Sequence, residues 1–212
     1  MSKRGIDLRC FTYVEILQPQ TAGFLGTISQ GYHPLEGQSS LFIEVSPGMD
    51  VNIITDIALK ETAVTPGMQV VERRYGVLEL HHYDQGQVHA AGDTILSNLN
   101  VKESDRLKPR IVSAQTITGV EGYHSQLVNR MRHGNFLGEG ETLYVLEVHP
   151  AGYALLATNE AEKAANINVL EFRALGAFGR VYLGGGEADI EEAAKAALFA
   201  LSQIDGRENP AK

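Results

Sequence analysis

The sequence predicts an α+β fold that is built twice, in two tandem domains of about 100 residues each. Three observations lead to this prediction: the 212-residue chain aligns with itself at a shift of 103 positions, both halves alternate strand and helix patterns in the same order, and both end in an amphipathic helix. The alignment needs no gap, and glycines and prolines that punctuate the chain coincide. These coincident residues are Gly31/Gly134, Gly37/Gly140, Pro47/Pro150 and Gly76/Gly179.

The order of elements in each half is strand, short helix, strand, longer helix, strand hairpin and helix. In the first half we place the first strand at 8–17, the short helix at 20–29, the next strand at 40–45 and the hairpin at 68–82. Gly31 is expected to close the short helix, and Pro47 to open the longer one. The final helix keeps one apolar face. Its residues on that face are Val88, Ala91, Ile95 and Leu99.

The second half repeats this order. Its strands and short helix fall at 111–118, 124–132 and 143–148, and its hairpin at 168–184. Gly134 and Pro150 take the parts of Gly31 and Pro47. The last helix carries apolar residues at helical spacing, namely Ile190, Ala193, Ala194, Ala197, Leu198 and Leu201. We therefore predict domains at 1–103 and 104–212, joined through the charged segment 102–110, with helices covering a mainly antiparallel sheet in each.

Composition excludes several classes of function. Lysine and arginine total 18 against 26 aspartates and glutamates, so the net charge of −8 argues against a nucleic-acid partner. The single Cys10 excludes an internal disulfide framework and a site with several thiolates. No apolar run approaches the roughly 20 residues of a membrane helix, and no secretory signal follows the N-terminal basic residues. We expect a cytoplasmic protein without a membrane partner.

Catalytic and cofactor motifs are missing from the sequence. The glycine-rich segment 134–142 has Glu139 where a phosphate-binding loop needs lysine, so a turn is the better interpretation. His81 and His82 are adjacent on a strand and point to opposite faces, which disfavours a shared metal ion. Cys10 lies on an apolar strand face and is interpreted as a buried hydrophobic residue. We predict no cofactor, no metal and no enzyme activity.

One segment differs between the two copies. Glu72, Arg73 and Arg74 precede Gly76, where the first hairpin turns, whereas the aligned positions of the second half are Leu175, Gly176 and Ala177. A solvated turn is the simplest interpretation. If three chains formed a ring, the charged turns could meet on its axis, where oppositely charged neighbours could pair and close an opening or move apart.

These residues resemble the bacterial microcompartment shell family. The resemblance is carried by the strand 143–148, the segment 159–166 with its Lys-Ala-Ala, the small-residue loop 174–180 and the start of the last helix at 185–194. The order of elements in each half resembles the circularly permuted, tandem-domain class, whose trimers mimic hexamers. Further similarity at 51–60, 72–76, 107–109 and 140–148 points to the carboxysome members of that class and extends the match over residues 7–208.

The resemblance implies a structural protein of a carboxysome shell: a homotrimer that forms a pseudohexagonal tile, stacks as a dimer of trimers and contacts other shell proteins. It implies that Lys60 and Lys163 lie at the tile edge. The central pore would be gated and would pass anionic phosphorylated metabolites such as ribulose bisphosphate and 3-phosphoglycerate.

The same resemblance assigns the pore residues. Glu72 and Arg73 match the gate pair. The further pore-lining residues would be Arg74, Gly176, Ala177 and Phe178. Two alternatives remain open: a trimeric small-molecule-binding regulatory protein without shell assembly, and an enzyme with its site in the chamber, which would need a nucleophile or metal that the sequence does not offer.

Overall fold

The computed structural model describes residues 5–210, which form eight strands and six α-helices. The strands are β1 Asp7–Val14, β2 Ser39–Ser46, β3 Thr65–Glu72, β4 Tyr75–His82, β5 Arg110–Ile117, β6 Thr142–His149, β7 Asn168–Arg173 and β8 Gly179–Gly185. The helices are α1 Pro19–Ile28, α2 Val51–Glu61, α3 Gln85–Leu99, α4 Gly122–Met131, α5 Tyr153–Ala164 and α6 Glu187–Ser202. This is the predicted order of elements, present twice.

Each half forms one four-stranded sheet in which all neighbours are antiparallel. The strand orders are β1-β2-β4-β3 and β5-β6-β8-β7. The α+β class is therefore confirmed. Even the irregularities repeat at the 103-residue shift, since bulges interrupt β1 and β5, and again β3 and β7, at aligned positions. The bulged pairs are Leu8/Cys10 with Ile111/Ser113, and Pro66/Met68 with Val169/Glu171.

The structure corrects the predicted roles of two pairs of punctuating residues. Gly31 and Gly134 do not close their helices, because α1 and α4 already end at extended cap residues. A Cβ atom on Gly31 would stand 2.6 Å from the Pro66 carbonyl oxygen, so these glycines permit close approach to the edge strand. Pro47 and Pro150 stand outside the helices, each three or four residues before α2 or α5 begins.

Helix α5 packs against both sheets. Its residues Tyr153 and Leu156 share one apolar cluster with Cys10 and Phe42 of the first sheet and with strands β6 to β8 of the second. Helices α2 and α3 cover the opposite face of the first sheet, around Leu41 and neighbouring residues. The first sheet is consequently buried on both faces. The helix that covers one of these faces, α5, comes from the second half of the chain.

The equivalent face of the second sheet is partly open. Strand β1 is almost entirely buried, whereas most of β5 is exposed. Val112 is 38% exposed, although it aligns with the buried Arg9. No described helix takes the place on this face that α5 takes on the first sheet.

A buried ion pair in the first half is hydrogen-bonded to residues of the second half. Arg9 Nε lies 2.6 Å from Glu44 Oε1, and the Arg9 guanidinium stacks 3.7 Å from the ring centre of Tyr75. Arg9 also donates a hydrogen bond to His149 Nε2, and the Gly152 backbone N–H donates to Glu44. Burial raises the pKa of Glu44 above its ordinary value, while Arg9 acts in the opposite direction. The charged form of Glu44 is therefore stabilised by Arg9 and by the backbone N–H groups that contact it.

Replacing Arg9 with methionine should leave Glu44 buried without its cation. We expect the variant Arg9→Met to lose about 3–5 kcal/mol of unfolding free energy, measured by urea denaturation. Adding Glu44→Gln should restore part of this loss. Lys60→Met is the matched control, because the exposed Lys60–Asp56 pair should contribute at most about 1 kcal/mol. Equal losses in the two single variants would contradict this account.

Candidate pore and edge sites

Two hairpin turns lie together at one end of the molecule. In the first hairpin Glu72 pairs directly with Tyr75, so that Arg73 and Arg74 form a two-residue turn. The second hairpin has a longer loop, 174–179, between paired residues of β7 and β8. A Cβ atom on Gly176 would lie 3.7 Å from Glu72 Cγ, which places the two turns side by side.

The Glu72–Arg73 pair is solvent-exposed and loosely held. Arg73 Nε lies 3.8 Å from Glu72 Oε1, and the Arg73 side chain is 91% exposed. Exposed pairs of this kind contribute at most about 1 kcal/mol, so the side chains can separate at small cost. Arg73 also has a left-handed backbone with φ of 55°, a conformation that favours glycine. The turn therefore carries an arginine where the backbone alone would select a smaller residue.

The two turns line one cavity of about 970 Å³. Its lining includes all six of the predicted gate and pore residues: Glu72, Arg73, Arg74, Gly176, Ala177 and Phe178. It also includes charged residues that sequence reasoning did not single out. These are Glu171, Arg173 and Arg180, together with His133. Four guanidinium groups against two carboxylates give the cavity a positive balance, which suits phosphate or carboxylate ligands.

The additional arginines are held by neighbouring carboxylates. Arg180 Nε donates to Glu147 at 2.9 Å, and Arg173 lies 4.0 Å from Glu171. Arg132 pairs with the other Glu171 oxygen at 2.5 Å and stacks on Tyr182. Arg180 directly follows the small-residue loop in the sequence, so its place in the cavity could have been predicted from that position. The position of Arg173 became evident only from the register of β7 on β8.

Lys60 and Lys163 lie away from the cavity, at the C-terminal ends of α2 and α5. Both side chains are exposed. Lys60 pairs with Asp56 at 2.6 Å and Lys163 with Glu160 at 3.5 Å. Cations at helix C-termini interact favourably with the helix dipole, so the two positions are chemically as well as topologically equivalent.

His81 and Cys10, which could in principle serve in catalysis or metal binding, are buried in the first sheet. His81 Nδ1 lies 3.0 Å from the buried Glu79 carboxylate, and burial raises the pKa of Cys10, which disfavours a thiolate nucleophile. Within residues 5–210, no three or more histidine, cysteine, aspartate or glutamate side chains are grouped as a metal site would require. None of the helices in this range is long and apolar enough to span a membrane.

Solved structures share this architecture of two permuted domains in tandem. The fused permuted hexameric shell protein MSM0275 from the RMM microcompartment is 45% identical, with a TM-score of 0.92 over 95% of this chain and 99% of that one. The double ringed trimeric shell protein MSM0271 from the same microcompartment is 35% identical, with a TM-score of 0.92 over 96% and 100%. The fold is that of a tandem-domain microcompartment shell protein.

Sequence comparison narrows the class. The CsoS1D N-terminal domain model matches residues 8–105. The chain is 51% identical to carboxysome shell protein CcmP of Synechococcus elongatus, over 97% of both proteins. It is 45% identical to carboxysome shell protein CsoS1D of Hydrogenovibrio crunogenus, over 95% of this chain and 99% of that one. The chain belongs to the tandem-domain carboxysome shell proteins, a structural family whose relatives are named as shell proteins and not as enzymes.

The left-handed conformation of Arg73 gives a test of the turn geometry. Arg73→Gly should relieve backbone strain, whereas Arg74→Gly should only add flexibility to the unfolded chain. We expect Arg73→Gly to be the more stable variant by about 1 kcal/mol in urea denaturation. If the two variants were equally stable, the backbone at Arg73 would not be strained.

Proposed function

We propose that three copies of this chain close into a pseudohexagonal tile of the carboxysome shell, with a gated pore on the threefold axis. The observation that carries the proposal is the contact between α5 and the first sheet, which a single chain satisfies once. The aligned helix α2 of another copy would cover the open face of the second sheet in the same way. Repeating one contact head to tail generates a closed ring when its rotation closes, here of six domains from three chains.

Individual contacts support this equivalence. Within the chain, the Gly152 N–H donates to Glu44. The aligned residues are Met49 and Glu147, and Met49 is 68% exposed. In a ring, the Met49 N–H of one copy would reach the Glu147 carboxylate of the next copy, and the exposed β5 would be covered.

The charged turns would then surround the axis. The weak Glu72–Arg73 pair supports a gate with two arrangements, one in which the carboxylates separate the arginines and one in which the turns move apart. The cationic cavity beside the gate suits anionic phosphorylated metabolites such as ribulose bisphosphate and 3-phosphoglycerate. A metabolite that binds one arrangement more tightly would shift the gate toward it.

Two further features of the assembly follow from the proposal. The exposed Lys60 and Lys163 would lie on the rim of the tile, where it meets other carboxysome shell proteins. Two tiles would stack face to face and enclose a chamber between two gates. The double ringed relative MSM0271, at 35% identity, supports this stacking.

The assembly is tested by the mass in solution and by tiling. Light scattering across concentration should give three or six times the 23.1 kDa chain mass. The double variant Lys60→Ala with Lys163→Ala should keep that mass but form fewer ordered sheets in electron micrographs. A stable wild-type monomer would contradict the ring. A trimer that never forms sheets with or without other shell proteins would favour the regulatory alternative.

The gate is tested by anion binding and by structure. Arg73→Ala should weaken binding of 3-phosphoglycerate about tenfold in calorimetry, since one charged hydrogen bond is lost. Glu72→Ala should leave the arginines less compensated, tighten binding and raise the fraction of open gates in electron cryomicroscopy. Lys60→Ala is the control and should change neither. Unchanged binding in both gate variants would remove these residues from the pore.

A further inference from the structure

Helix α1 is fixed to the second half of the chain by polar contacts at its N-terminus. Glu162 of α5 accepts hydrogen bonds from the backbone N–H groups of Gln20 and Thr21, at 2.7 and 2.8 Å. It also accepts one from the Thr21 hydroxyl. The first N–H groups of a helix have no partners within the helix, and a carboxylate there is also favoured by the helix dipole. Glu162 therefore caps α1 across the boundary between the two halves.

Helix α4 is the counterpart of α1, and its N-terminus has another arrangement. Its N-terminal N–H groups, those of Tyr123 and His124, already donate to its own Glu121. Tyr123, Leu127 and Met131 follow at helical spacing on one face and are 81%, 59% and 60% exposed. We call these three residues the α4 stripe. They align with Gln20, Phe24 and Ile28 of α1, whose face is docked.

The helix that would cover the α4 stripe differs from α5 in matching ways. Where α5 has Glu162, α2 has Leu59, which is 42% exposed. The apolar Leu59 would thus face the N-terminus of α4, whose N–H groups already have Glu121 as their acceptor.

Side-chain size is exchanged at a second position. Gly152 approaches the first sheet so closely that a Cβ atom would lie 2.8 Å from Cys10 Sγ and 3.1 Å from Phe42 Cδ1. Gly152 directly precedes α5, and its counterpart Met49 lies in the turn just before α2; the residues aligned with Cys10 and Phe42 are the smaller Ser113 and Val145. The small Gly152 before α5 thus faces the large Phe42, whereas the larger Met49 before α2 would face the smaller Val145 in the proposed contact.

We propose that the α4 stripe is the docking surface for α2 of a second copy. Two differences between the helices, Glu162 against Leu59 and Gly152 against Met49, determine which helix docks on α1 and which on α4. This inference rests on the trimer proposed above. It adds a rule for pairing between neighbouring domains: besides the sheet of its own domain, α5 packs only on a first sheet with α1, and α2 packs only on a second sheet with α4.

The wrong pairings are disfavoured by burial and by size. If α5 were placed on α4, Glu162 would be buried beside Glu121, and the donors that it needs would already be engaged. If α2 were placed on α1, Leu59 would leave the Gln20 and Thr21 N–H groups without acceptors. Met49 would also collide with the close-packed Cys10 region. First and second domains would consequently alternate around the ring.

The test is Leu59→Glu, compared by light scattering with the control Phe199→Glu. Both change an exposed leucine or phenylalanine on a helix to glutamate, but Phe199 lies on α6, outside the α4 stripe and its proposed contact. We expect Leu59→Glu to lower trimer affinity at least tenfold and to yield a folded monomer, and Phe199→Glu to remain trimeric. Leu127→Glu changes the facing surface and should give the same dissociation.

Amide hydrogen exchange distinguishes the α5–α1 contact within the chain from the proposed α2–α4 contact between copies. Glu162→Leu should keep the trimer but speed amide hydrogen exchange of Gln20 and Thr21 at least tenfold, whereas Leu59→Glu should leave that exchange slow. A trimeric wild type whose Leu59→Glu and Leu127→Glu variants are equally trimeric would overturn the pairing rule alone. A wild type that is monomeric at every concentration would overturn the ring and the pairing rule together.

Discussion

The packing of α5 between two sheets is the contact on which the rest of the structure depends. Tyr153 and Leu156 complete the core of the first sheet while belonging to the second half of the chain. The contact positions both hairpin turns at the same end and creates the cationic cavity between them. It also leaves an open sheet face at one end of the chain and an exposed α2 surface at the other. In the proposed ring, these two surfaces of neighbouring copies would meet head to tail.

The two copies of the domain have diverged where their environments differ. The face of the first sheet that α5 covers combines apolar residues such as Phe42 and Val77 with buried charged groups that are paired, as in Arg9–Glu44 and His81–Glu79. The second sheet has Arg180 where the first has Val77, and Glu147 remains partly exposed. Charged groups are tolerated on this face because water reaches it in a single chain, whereas an apolar face would promote non-specific association.

The sequence predicts much of this architecture because the repeat supplies two independent views of one fold. Strands, helices and hairpins agree in both halves, and the predicted gate and pore residues line one cavity. The roles of Gly31 and Pro47 were wrong, since local rules for helix ends do not register the approach of a distant strand. The Arg9–Glu44 pair also could not be predicted, because it depends on how α5 seats on β1. The domain boundary near residue 103 stays a prediction.

The proposed gate would be a consequence of that same divergence between the two copies. If both copies had the small-residue turn of Leu175, Gly176 and Ala177, the axis would be lined by residues with no means of responding to charge. With Glu72 and Arg73 in only one copy, the proposed trimer would have three charged turns that alternate with three small ones. The glycine at 176 lets the small turn lie directly beside Glu72, since even a Cβ atom there would lie 3.7 Å from Glu72 Cγ. In the proposed trimer, three exposed turns held by pairs of at most about 1 kcal/mol each would suit an opening that a bound anion can shift.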